Sequence, residues 1–348
     1  MTDLLQSWWQ WISAVSLQFT VLALIVLFLD ATVLRRAWPE LRTAVWLVAL
    51  ARLFLPPDLT SPWSLVQLGV PLPWLPSDAD AVAVADAAPT TAGTLLGPVW
   101  FLGLVLVLTV GGWRYLRLRR AWLSDAAPAP ALVARSALRA ARRLGLGRVP
   151  VLRLAPVAGP AVVGFLRPVV VLPESLGNSA PDRIEHVLLH EFAHLRRRDP
   201  LASLLCLLVQ AVYWFHPLVW LTRARLSFLR EICCDRTVAA ALGAQARDYR
   251  ATLLHMARSL LTPALPGLGF VHRHSQILAR LSWLERPLAR GRRLRRTLTG
   301  VLCGALVLCC VPLAAAPPTD LGSLPGCLQK RFQVLRLLAE QEQAATRH

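Results

Sequence analysis

The sequence predicts a mainly α membrane protein with four transmembrane helices and a cytoplasmic α+β domain between the third and the fourth. Three observations carry that expectation. The 348 residues are 55% hydrophobic and only 17% charged, whereas a soluble chain carries about 25% charged residues. Four apolar stretches are flanked on one side by arginine. The block between the last two switches from helical patterning to short β-branched runs bounded by Gly and Pro, and then back to helix.

The spans come in order. Residues 11–34 carry no charge until Asp30 and are long enough for a hydrocarbon layer of about 30 Å. They lack the basic start and the small-residue cleavage site of a removed signal peptide. Residues 42–56 form the shortest candidate and contain Arg52, while 94–113 and 298–316 are free of charge. Arg35, Arg36 and Arg42 lie between the first two spans. Arg114, Arg117, Arg119 and Arg120 follow the third, and Arg292, Arg293, Arg295 and Arg296 precede the fourth. The 57–93 loop holds Asp58, Asp78, Asp80 and Asp86 and no basic residue. Arginine collects on the cytoplasmic side of a membrane protein. Residues 1–113 are therefore expected to hold three spans and 114–297 to form the cytoplasmic domain. The fourth span is 298–316, residues 317–348 are a short extracytoplasmic tail, and both termini lie outside.

The net charge of +18 sits beside the spans, where it meets anionic headgroups, so no direct nucleic-acid partner is expected. The seven cysteines show neither zinc-knuckle spacing nor a disulfide framework, and most lie in apolar runs, as expected of reduced thiols.

Within the domain, 136–144 reads as a short basic helix, 149–154 and 161–172 as strands, 174–178 as a turn and 181–197 as a helix. The alanine- and proline-rich piece at 124–132 reads as a linker. Asp199-Pro200 reads as the cap and first turn of the next helix, with Asp199 expected in that role rather than at a site. Residues 201–221 are almost wholly apolar. If they crossed the bilayer, Arg223, Arg225 and Arg230 would lie outside, so they are expected to form a buried or membrane-grazing helix broken near His216-Pro217.

The helix at 181–197 carries His190-Glu191-Phe192-Ala193-His194. Histidines four apart lie on one helical face and can reach one metal ion, and the carboxylate of Glu191 stands where it can take a proton from water. Catalytic zinc usually takes a third protein ligand. His186 shares the face, but eight helical residues span about 12 Å, too far for one ion. It is expected to pack or to hydrogen-bond nearby. Residues 231–235 read as helix, so Glu231 and Asp235 share a face. Glu231 could ligate zinc, and Asp235 could accept a hydrogen bond from the unliganded nitrogen of a ligand histidine. His216 is expected to be structural, and Cys233 and Cys234 to be buried small side chains. Tyr249, His255 and His272 are equal candidates for an oxyanion partner.

The strings HVLLHEFAHLRRRDP, YWFHPLVW and REICCD, with GPAVVGFLRPVVVLPESL upstream, resemble the membrane-embedded gluzincin peptidases of the BlaR/MecR antirepressor type over about residues 149–240. The resemblance implies a cytoplasmic α+β zincin (gluzincin) domain binding one zinc per chain. It implies His190, His194 and Glu231 as ligands, Glu191 as general base and Asp235 beside a ligand histidine. It further implies cleavage of a cytoplasmic regulator, typically a winged-helix repressor, and often self-cleavage. The strand at 162–171 is the expected substrate-binding edge. Family members that sense β-lactams carry a penicillin-binding domain after the last span; here Ser323 has Gly326 three residues on, not lysine, so acylation by a β-lactam is not expected. A housekeeping membrane gluzincin and a non-hydrolytic docking subunit remain as alternatives.

Overall fold

The computed structural model describes residues 2–56, 91–260, 268–286, 297–301 and 303–304. The tail 317–348, nearly all of the 57–93 loop and most of the expected fourth span lie outside these residues. The described part is mostly helical. Helix α1 is Thr2–Ala31, α2 Pro39–Ala51 and α3 Thr91–Leu123. Strand β1 (Ala127–Pro128) and α4 (Ala131–Leu144) lead into β2 (Val151–Ala155), β3 (Ala161–Val163) and β4 (Val169–Pro173). Helices α5 (Pro181–Arg196), α6 (Asp199–Val212), α7 (Pro217–Leu242), α8 (Ala246–Leu260) and α9 (Leu268–Glu285) follow.

Among the described residues two helical stretches are long and apolar enough to cross a membrane, Trp8–Ala31 of α1 and Leu96–Leu123 of α3. The second expected span behaves differently. Helix α2 has 13 residues, about 20 Å, well short of the hydrocarbon thickness. Arg42 within the helix and Arg52 at its C-terminal end are both buried. Arg42 Nε donates to Asp30 Oδ1 of α1 at 2.5 Å, and Arg225 Nε of α7 donates to Asp30 Oδ2 at 2.7 Å. One carboxylate thus ties three helices. Apolar side chains of α1, α2, α6 and α7, Phe19, Trp46 and Leu229 among them, close the core around it.

The four strands form one sheet in the order β1-β2-β4-β3. Strands β2 and β4 are parallel, with Val151 opposite Val169, and β3 pairs antiparallel with β4. The expected 161–172 strand is in fact two strands joined by a hairpin. Gly164 turns the chain at φ +100, and a Cβ there would lie 2.8 Å from the Arg167 carbonyl oxygen, so only glycine closes this turn. The short basic helix starts at Ala131, five residues early, taking in only the last two residues of the piece read as linker. Val133, Ala137 and Ala140 on one side of α4 let it lie close against Leu188 and Phe192 of α5, over Val170 and Leu172 of the sheet. The apolar run after Asp199 breaks as expected. Helix α6 stops at Val212, and His216 stands at the N-cap of α7.

Candidate metal centre

Helix α5 starts with Pro181 at its first position, where the missing N–H costs nothing. Its buried side chains Val187, Leu188, Leu189 and Phe192 press one face into the domain core. The remaining face carries His190 and His194, which therefore look towards α7. The two imidazole rings stand edge to face with centroids 4.9 Å apart. Their Nε2 atoms approach to 3.3 Å. Glu231 of α7 completes the group, with Oε2 3.4 Å from His190 Nε2 and Oε1 3.6 Å from His194 Nε2. A metal ion with bonds of about 2.0–2.2 Å holds tetrahedral ligands about 3.3–3.6 Å apart. Three ligand atoms from two helices already have that spacing, so the donor set and its geometry fit one zinc-sized ion.

Both histidines offer Nε2 to this point because carboxylates hold Nδ1. His190 Nδ1 lies 3.2 Å from Asp235 Oδ1 and 3.0 Å from the Tyr249 hydroxyl. Tyr249 donates its own proton to Asp235 Oδ1 at 2.6 Å. His194 Nδ1 lies 2.8 Å from Asp199 Oδ2. This last contact corrects the reading of Asp199 as a helix cap. Arg198 takes the N-cap position in the left-handed region, at φ 59, and Asp199 opens α6. That sharp reversal swings the Asp199 carboxylate back under α5. Cys234 adds its thiol, 3.3 Å from His194 Nδ1 and 3.5 Å from Asp199 Oδ2. Burial pushes that thiol well above its ordinary value, and it donates to Asp199 Oδ2.

Arg280 of α9 is a residue that sequence reasoning missed. Its Nε and Nη2 donate to the two oxygens of Asp235 at 2.7 and 2.9 Å, and its Nη1 lies 3.2 Å from Glu231 Oε2. Nothing in its local sequence marks it. It stands 45 residues beyond Asp235, and only the packing of α9 on α7 brings it in.

The charges balance around this arginine. Burial raises the Asp235 carboxyl, but Arg280 and then His190 hold it well below the ordinary carboxylate range. Burial likewise opposes ionisation of Glu231, and His190 and Arg280 override it, down to about 2. His190 is disfavoured as a cation by burial, yet Asp235 and Glu231 lift it to about 10. A site that stabilises positive charge so strongly is suited to a metal cation. Glu191 is buried beside the histidines, and burial raises its pKa, with His190 and His194 pulling it part of the way back.

The other sequence candidates separate. His186 faces away and pairs through Nδ1 with Thr252 Oγ1 at 2.9 Å. Tyr249 supports His190, and His255 is exposed beside Arg183 at 3.2 Å. His272 falls outside the described side chains. His216 packs on Phe19 and bonds α1, and Cys233 is buried.

The family model described as "BlaR1 peptidase M56" matches residues 11–284. The regulatory protein BlaR1 of Bacillus licheniformis is 37% identical over 82 residues, 24% of this chain and 14% of that protein. The methicillin resistance mecR1 proteins of Staphylococcus aureus and Staphylococcus epidermidis are each 28% identical over 83 residues, again 24% of this chain and 14% of theirs. The aligned segments thus span about a seventh of the length of these curated relatives.

Proposed function

The chain belongs to the BlaR1 peptidase M56 family, and from that premise we propose that it is an integral-membrane zinc endopeptidase that cleaves a cytoplasmic regulator of the repressor type. The carrying observation is the spacing of His190 Nε2, His194 Nε2 and Glu231. Bound there, zinc supplies Lewis acidity to polarise a scissile carbonyl and to acidify water. Glu191 takes the proton on its carboxylate and delivers it to the leaving amine; its burial raises its pKa toward the range where both transfers are efficient. Asp235 and Asp199 hold the two imidazoles in the Nδ1–H tautomer, which leaves Nε2 free for the metal. Arg280 keeps Glu231 and Asp235 ionised and aimed.

Strand β3 lies at the sheet edge, with β4 on its one paired side among the described residues. An extended substrate adds there as a further strand. The regulatory name of the Bacillus relative and the orientation read from the arginines support a cytoplasmic regulator as substrate.

The test is bound zinc and peptide hydrolysis on the detergent-solubilised full chain. About one zinc per chain is expected, lost in Glu231→Ala and kept in Glu191→Gln, with hydrolysis lost in both. Function retained by Glu191→Gln would sink the peptidase reading in favour of a docking role.

A further inference from the structure

Between Leu201 and Thr222 the chain has no charged residue, yet it forms two helices and a turn rather than one span. Its depth can be read from its partners. The apolar stretch Trp8–Ala31 of α1 has 24 residues, and Thr20 lies at its middle. His216, in the turn between α6 and α7, donates from Nε2 to Thr20 Oγ1 at 3.0 Å, with Ser16 O at 3.3 Å. Nine residues on, Arg225 meets Asp30 at the end of that same stretch. Thr20 to Asp30 is about 15 Å along α1, and His216 to Arg225 about 13 Å along α7. The two helices therefore run side by side from mid-span to its end. Helix α6 runs along α3 in the same way. Leu207 approaches Gly111, and Trp214 covers Gly103 so closely that a Cβ there would clash with the indole.

From these registers we infer that residues 201–224 form a re-entrant helical hairpin that enters the bilayer to its midplane and returns to the face it came from. The turn is built for a place without water. Backbone carbonyls freed from helix in hydrocarbon need a protein donor. Trp100 Nε1 donates to Val212 O at 2.7 Å, and Trp220 Nε1 donates to Trp214 O at 2.9 Å. Trp214 Nε1 donates to Trp100 O at 3.2 Å, and the Tyr213 hydroxyl donates to Leu53 O at 3.0 Å. Gln210, the one amide in the segment, is buried and accepts from Arg223. The outer face is apolar. Leu205, Leu208, Phe215, Trp220 and Leu221 stand between 41% and 48% exposed. The spans beside them extend the same surface, and acyl chains are the occupant that covers both. Glu231 lies six residues past Arg225, about 9 Å along α7, so the metal cluster sits at headgroup level.

Depth and sidedness test this in full-length protein reconstituted in phosphatidylglycerol/phosphatidylethanolamine liposomes. A fluorescent amino acid is placed at Leu208, Phe215 or, as the remote control, Gln245. Each variant must match the parent's thermal unfolding midpoint, and one that fails is replaced by Leu205 or Trp220. Nitroxide at mid-acyl depth is expected to quench the label at 215 at least about twofold more than headgroup nitroxide, and neither should quench 245. Iodide in the water quenching 208 and 215, with no effect of either lipid, overturns the hairpin. Sidedness is read from impermeant maleimide on Arg198→Cys and Ser227→Cys, above the parental cysteine background. Labelling of both from the same face of the membrane is expected; labelling from opposite faces means a crossing helix and also overturns it.

Discussion

Asp199 and Asp235 serve different histidines by the same means, each facing Nδ1 so that both Nε2 atoms turn towards Glu231. Removing either should loosen an otherwise intact ligand set. Asp199→Asn is expected to weaken zinc binding by about 10- to 100-fold, measured by chelator competition, with unfolding temperature as the control for misfolding. The affinity should also depend on pH with a definite sign. His190 holds its proton up to about 10 in metal-free protein, because Asp235 and Glu231 outweigh its burial. Zinc must displace that proton, so binding tightens as pH rises and weakens by about tenfold for each unit of fall below that value. A zinc affinity that does not change between pH 6 and 8 would rule out the protonated His190. At this scale the clustering of His190, His194, Glu231 and Asp235 was legible, because motif and helical spacing are local. Asp199 was misread because Arg198 breaks the helical register in a conformation that no rule assigns to arginine. Arg280 was invisible because its partners are 45 and 49 residues away.

Helix α7 is the element on which the rest depends. Its N-terminal half packs among α1 and α2, and its C-terminal half carries Glu231 and Asp235 against α5 and α9. Arg280 joins it to α9 through the fully buried Asp235. Arg280→Met leaves that carboxylate without its main counter-charge, a change that costs about 3–5 kcal/mol. A lower unfolding midpoint and weaker zinc binding are expected together, since Glu231 loses the same partner. Among the described glycines, Gly103 of α3 has a neighbouring side chain, Trp214, packed closest upon it. Gly103→Leu should expel the Trp214 ring and lower thermal stability, while the same change at Gly112, where no atom lies within 4 Å, should be silent. The termini of α5 and the break at His216-Pro217 followed from proline and the apolar pattern. The split of β3 from β4 did not, because the run looks continuous until Gly164 is seen to turn it.

At the level of the whole molecule, the membrane helices and the metal domain share one framework. Asp30 binds Arg42 and Arg225, so α1 is tied to the helix that supplies Glu231. Asp30→Asn leaves the buried Arg42 and the partly exposed Arg225 without their carboxylate and should lower the unfolding midpoint. Because the ligand atoms are untouched, folded Asp30→Asn protein should still hold about one zinc. Loss of zinc by such folded protein would mean that the clamp itself sets the position of Glu231.

The sequence by itself determined a membrane protein with a zinc-type motif and a downstream acid pair, because hydropathy, arginine placement and i,i+4 spacing act over a few residues. Only the tertiary structure decided which carboxylate holds which histidine, that Arg280 completes the cluster, and that α2 is too short to span. These depend on where helices distant in sequence come together. Packing of α7 against α1, α5 and α9 sets those distances, and no local pattern encodes them.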